Sequence, residues 1–192
     1  MAETGYLFAT SSQVSTGSWT NLGNLFATDG AEANCSIAAK NTSSVAILHN
    51  FGFTTTVLPA DATINQVLMQ CVWRVTTAAS VIANLNAKVF VTSVGLLADH
   101  VNVNEITTLT TDTFDITADT AWTPEHFRNG TLQVRATPFN GNDASDPSYR
   151  FDSISLNAIY TPFVAPAQRV LRSACNLDGV GPDGLLLGNA LE

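Results

Sequence analysis

One stretch of the chain restricts the fold more than any other. Between residues 67 and 75 the odd positions are Val67, Met69, Cys71, Trp73 and Val75, while Gln66, Gln70 and Arg74 occupy the other phase. Side chains change faces with a period of two on an extended strand, so this spacing predicts a half-buried β-strand. Pro59 and Asp61 stand just before it and predict a turn, the proline by its fixed φ and the aspartate by a local hydrogen bond. The pattern recurs twice. Leu132, Val134 and Ala136 alternate with Gln133 and Arg135, and Ile154, Leu156, Ala158 and Tyr160 alternate with Ser153, Ser155 and Asn157.

Weaker strand patterns cover residues 5–10, 35–40, 45–53, 86–94 and 105–116. About eight or nine strands separated by Gly, Asn, Asp and Pro predict an all-β antiparallel sandwich. A chain of 192 residues accommodates this as one domain, assigned to residues 1–161. Charged residues are 12% of the chain, against about 25% in ordinary soluble domains. Thr, Ser and Asn must therefore supply most of the polar surface, which suits pleated strands and their turns.

Residues 162–192 differ in character, with three prolines, four glycines and the run Leu185-Leu186-Leu187. A short helix is predicted over residues 167–176, ending near Gly179. Leucines left in water forgo roughly 1.5–3 kcal/mol each, so this extended arm requires a surface. It either folds back on its own sandwich or docks on a neighbouring subunit through Val170, Leu171, Leu185, Leu186, Leu187 and Leu191.

Charge and cysteines exclude several classes. The net charge is −8, with Lys40 and Lys88 as the only lysines. No basic stripe exists for phosphate contacts, and no nucleic-acid partner is predicted. Cys35, Cys71 and Cys175 are odd in number and form no C-x-x-C pair, so a disulfide framework is not predicted; Cys71 reads as a small core residue. The first residues lack the basic start and apolar run of a secretory leader. No segment approaches the ~20 apolar residues that cross a bilayer, so no membrane partner is predicted.

The candidates for chemistry are scattered. His49, His100 and His126 are isolated from one another and from cysteines at zinc spacing. No nucleophile elbow, Walker loop or dinucleotide glycine motif occurs. Asp112, Asp115, Asp119 and Glu125 form a carboxylate cluster of the kind a glycosidase needs, but solvated edges and turns explain it equally. Asn140, Asn142, Asp143 and Asp146 place oxygens in one loop without the order of a calcium loop. Trp19 and Trp122 open turn-like stretches where a sugar could stack, whereas Trp73 reads as core. No cofactor, no metal and no enzyme activity are predicted.

Three blocks carry a resemblance. The first is "GSWTNLGNLFATDGAEANCSI", with its Asp29-Gly30 turn. The second is "FGFTTTVLPADATINQVLMQCVWRV", where Phe51, Phe53 and Pro59 precede the alternating strand. The third is "NGTLQVRATPFNGNDASDPSYRFDSISLNAIYT", with Asp152 before the final strand. In this order, spanning residues 18–161, they resemble a jelly-roll module that recurs in structural proteins of tailed bacteriophages. The resemblance implies a virion component made in the host bacterial cytoplasm. That component is an auxiliary capsid protein (decoration or cement), or alternatively a tail or baseplate part with a glycan or host-surface role. It implies the major capsid protein or other virion proteins as partners, and a homo-oligomer, a trimer by analogy with a local threefold axis. Asp29-Gly30, Phe51, Phe53 and Asp152 are then architectural, and no catalytic residue is carried over. The added C-terminal arm departs from the module and favours contact between subunits.

Overall fold

The structure, a computed structural model, describes residues 1–76, 83–102, 107–141 and 148–164. Thirteen strands lie within them. The first seven are β1 (Ala2–Glu3), β2 (Leu7–Phe8), β3 (Ser11–Thr16), β4 (Ser18–Thr20), β5 (Ala33–Ser36), β6 (Thr42–Ser43) and β7 (Val45–His49). The remainder are β8 (Thr63–Val75), β9 (Ala83–Val91), β10 (Gly95–Asn102), β11 (Thr110–Asp115), β12 (Leu132–Asn140) and β13 (Ser148–Thr161). Sheet A has the order β11-β8-β13-β5-β4, with β1 and β2 also on β13; sheet B has the order β10-β9-β12-β7-β3, with β6 on β12. From β7 to β13 every connection except the β9–β10 hairpin crosses between the sheets, the winding of a jelly roll. All pairings are antiparallel, and the fold is the expected β-sandwich.

The alternation read from the sequence sets the inner faces. Val67, Met69, Cys71, Trp73 and Val75 of β8 are all fully buried, as are Ile154, Leu156 and Ala158 of β13. Leu132, Val134 and Ala136 of β12 close on them from sheet B. Each such side chain contributes about 1.5–3 kcal/mol by leaving water. Aromatic rings fill one part of the core: Trp73 stacks near Tyr149 and Phe151, and Trp19 lies 5.3 Å from Phe151. Another group joins Phe53, Phe127 and Trp122.

The sequence reading needs one correction at β13. Ser153, Ser155 and Asn157 lie opposite the apolar face, as expected, yet they are buried as well. The free edge of β13 is not closed by one strand. Instead β5, a bridge from Phe26 to Ser153, β2 and β1 follow one another along it. These segments cover the outer side chains: Thr28 Oγ1 and Ser153 Oγ are 2.8 Å apart, and Thr4 Oγ1 donates to Asn157 Oδ1.

Besides the two- and three-residue strands β1, β4 and β6, two longer strands do not follow the alternation rule. β10 was not recognised because its register slips between Leu96 and Asp99, a bulge that spoils period two. β3 carries the polar sequence Ser-Ser-Gln-Val-Ser-Thr at a sheet edge, where no buried face imposes a pattern. Between β3 and β4 the chain passes from sheet B to sheet A at Gly17. Its φ is +81°, and a Cβ there would stand 1.7 Å from Ser44 Oγ. Only glycine fits that crossing.

β13 ends at Thr161, after which Phe163 and Val164 are 61% and 83% exposed. The short helix expected over residues 167–176, and Val170, Leu171, Leu185, Leu186, Leu187 and Leu191, lie outside the described residues. Among the described residues no helix is long and apolar enough to cross a membrane.

Candidate functional site

The acids that lie close together in the sequence, weighed equally as solvated edges and turns, do not converge. Asp112 and Asp115 are three residues apart on β11, so the strand turns them to opposite faces. Asp112 Oδ2 accepts a 2.6 Å hydrogen bond from the buried Trp73 Nε1. Asp115 accepts from the Thr117 hydroxyl and backbone N–H and from Gln66 Nε2, and these bonds, that of the hydroxyl foremost, hold its carboxyl below the usual range. Asp119 bonds His100 Nε2 at 2.8 Å, and Glu125 projects into solvent 3.8 Å from Arg128 Nε. Each acid has a separate local partner, whereas hydrolysis of a glycosidic bond requires two carboxyl groups flanking one bond.

The remaining candidates are also framework. Trp19 and Trp122 are each 9% exposed. Trp122 Nε1 donates to the Ile116 carbonyl at 2.9 Å, and neither ring offers a face for stacking. His126 Nδ1 accepts from the Thr123 N–H and caps a single 3-10 turn. Cys35 and Cys71 are free and buried; burial pushes the Cys35 thiol up to about 11 and the Cys71 thiol higher still, which keeps both protonated. Asn140 is buried and donates to the Ile37 carbonyl. Its loop companions Asn142, Asp143 and Asp146 lie outside the described residues, as does Cys175. Among the described residues no group of three His, Cys, Asp or Glu side chains is placed to hold a metal ion.

The three sequence blocks instead meet one another. Asp152 sits at a bulge in β13 and is 1% exposed. Its Oδ1 accepts from the backbone N–H of Gly30 at 2.8 Å and of Asp29 at 3.3 Å. Gly30 has φ +81°, the left-handed conformation this turn requires. Phe51 and Phe53 are each 2% exposed, and Arg128 ties the second block down by donating to the Phe53 and Leu58 carbonyls.

A further group of side chains lies on the outer face of sheet B. Strand register aligns side chains across it in rows. Leu96, Phe90, Gln133 and His49 form one row; Asp99, Lys88, Arg135 and Ile47 form the next. The centre is recessed: Ile47 is 7% exposed, and the Arg135 guanidinium lies 5.1 Å from the Phe90 ring centroid. Lys88 Nζ pairs with Asp99 Oδ1 at 2.5 Å, and this contact lowers the Asp99 pKa. Partial desolvation lowers that of His49. Arg135 makes no ion pair among the described residues, and its Nε has no hydrogen-bond partner. The result is a surface of two cations and one acid set among apolar groups.

The sequence placed Gln133 and Arg135 outward correctly. It carried no sign of Phe90 and Lys88 beside them, because that adjacency arises from strand order. A separate shallow cavity of about 280 Å³, on sheet A, is lined by Met1, Ala2, Glu3 and Ile159 and adds no reactive cluster.

No family model and no curated protein matches the sequence. Among solved structures, one determined with a xylogluco-oligosaccharide is similar at TM-score 0.50 and 11% identity, over 82% of this chain and 39% of its own. A CBM4 structure is similar at TM-score 0.46 and 12% identity, over 81% of this chain and 95% of its own. PfGH50B is similar at TM-score 0.48 and 9% identity, over 80% of this chain, which spans only 22% of it. At such identities the likeness is one of fold alone, and this chain spans 39% of the length of the structure determined with the xylogluco-oligosaccharide.

Proposed function

We propose that this chain is a non-enzymatic structural protein of a tailed-phage virion, an auxiliary capsid protein that decorates or cements the head by contacts between subunits. The observation that carries the reading is the joining of the three sequence blocks in sheet A, where β13 lies between β8 and β5 and its Asp152 accepts from the Gly30 N–H. Residues that motivate the resemblance are those that lock the sandwich, as a module defined by architecture requires. The separated carboxylates and the deeply buried thiols agree with a role free of turnover.

A cement protein acts through many weak contacts repeated over a shell, each adding a few kcal/mol of association. Its partners on this reading are the major capsid protein and further copies of itself, arranged as a homo-oligomer. Gold-labelled antibody against the chain tests the location on purified particles. Label over mature heads is the expected result; a protein that never copurifies with heads is not a capsid protein.

A tail or baseplate part that contacts host glycan is the second reading. It is favoured by the recessed face of sheet B, where Phe90, Gln133 and His49 stand in one row. Label confined to tails, together with retention on host-surface polysaccharide, selects it.

A further inference from the structure

We infer that the outer face of sheet B is the seat for residues 176–192 of a second copy of this chain. The inference rests on the assembly reading above and names the surface through which assembly occurs.

Charge is the first argument. The chain carries −8 overall, yet Lys88 and Arg135 stand opposite each other on β9 and β12 with Asp99 as the acid of their row. Lys88 is engaged by Asp99, but Arg135 makes no ion pair among the described residues. The adjacent cations Arg74 and Arg150 on sheet A have an acid beside them: Glu32 grips Arg74 through two hydrogen bonds of 2.7 and 2.8 Å and is also acted on by the Arg150 charge, although Arg150 Nε, like that of Arg135, has no hydrogen-bond partner. Residues 176–192 contain Asp178, Asp183 and Glu192 and no Lys or Arg. A guanidinium with no ion pair among the described residues and an acidic segment are complementary and can form a charge-assisted contact.

Apolar surface is the second argument. Leu96 and Val101 are 49% and 46% exposed on the same side of sheet B as Phe90. Leu185, Leu186, Leu187 and Leu191 supply the matching groups. The third argument selects a second copy over the same copy. The arm departs from β13 in sheet A, the opposite layer, and its first residues, Phe163 and Val164, stand out in solvent. To reach sheet B a protomer's own arm would have to round the edge of its sandwich, whereas an arm given to a second copy supplies the contact between subunits that the assembly reading requires. From Val164, the 11 intervening residues can span roughly 40 Å at about 3.3–3.6 Å each.

The test is sedimentation of the full chain and two variants. Arg135→Glu breaks the seat and Leu185→Ser/Leu186→Ser/Leu187→Ser breaks the arm; Lys88→Glu serves as a second seat variant if Arg135→Glu does not fold. Each variant is expected to self-associate at least tenfold more weakly than the parent. A mixture of one seat variant with the arm variant is expected to associate again, because one partner retains the arm and the other the seat. Variants that keep the parental oligomer overturn the inference while leaving the assembly reading intact. A parent that is monomeric at all concentrations and absent from particles overturns both. Crosslinks between seat and arm only within one chain overturn it too, as does a parent whose face is occupied by an acidic glycan and not by the arm.

Discussion

The Gly30 backbone N–H donates a 2.8 Å hydrogen bond to Asp152 Oδ1, closing a turn near one end of the chain against a strand near the other. The carboxylate is buried and shares the same oxygen with the Asp29 N–H. Replacing it by alanine strands these donors, at a cost of about 1–3 kcal/mol. Asp152→Ala is expected to lower the denaturant midpoint by a corresponding amount, and Asp152→Asn, which retains an acceptor, by less. Equal midpoints for Asp152→Ala and the parent would remove this contact from the framework.

Trp73 depends on Asp112 in a similar way. The indole lies in the core and its N–H reaches the carboxylate at 2.6 Å. Asp112→Ala is expected to cost roughly 1–3 kcal/mol by leaving that N–H unpaired. Chemical unfolding followed by Trp fluorescence measures it, and Asp112→Asn should recover most of the loss.

Gly17 is the least replaceable glycine described. A methyl group there meets Ser44 Oγ at 1.7 Å and Ser44 Cβ at 2.5 Å, on a backbone with φ +81°. Left-handed strain and overpacking together predict a loss of roughly 2–5 kcal/mol for Gly17→Ala. Compared with the single variants Gly17→Ala and Ser44→Gly, the double variant Gly17→Ala/Ser44→Gly should be relieved of the clash but not of the strain. Thermal melting of the parent and the three variants checks the coupling.

His49 predicts a pH dependence. Desolvation lowers its pKa from the usual 6.5, so the unfolded chain binds the proton more readily than the folded one. The associated stability is present above about pH 6.5 and is lost as the pH falls toward and through the lower folded value. His49→Gln should flatten the stability profile in that window. An unchanged slope would show that His49 does not contribute to it.

Deleting residues 181–192 tests the arm against the sandwich. The melting temperature is expected to remain near that of the parent while self-association weakens. A truncated chain that fails to fold would make the arm part of the core.

The core was legible because it follows a rule of adjacency along one strand. Trp73 and Leu156 announce their burial through neighbours two residues away, whatever strand lies beside them. The burial of Ser155 was not legible, since it arises from β2 lying beside β13, a pairing between distant parts of the chain. The same holds for the surface on sheet B. Arg135 shows its outward phase in the sequence, but the placement of Phe90 and Lys88 next to it depends on β9 pairing with β12. β10 was hidden for a third reason, because its bulge shifts the phase on which recognition depends.

The piecemeal edge of β13 has a consequence for biosynthesis. β1, β2, the Phe26 bridge and β5 emerge from the ribosome early, yet all of them pair with a strand that ends at Thr161. Sheet A therefore cannot complete itself until β13 has been translated; until then β1 and β2 lack their partner and β5 has only β4. Formation of the native sandwich is postponed until β13 has been made and is set by pairings of large sequence separation, the slow regime for β proteins.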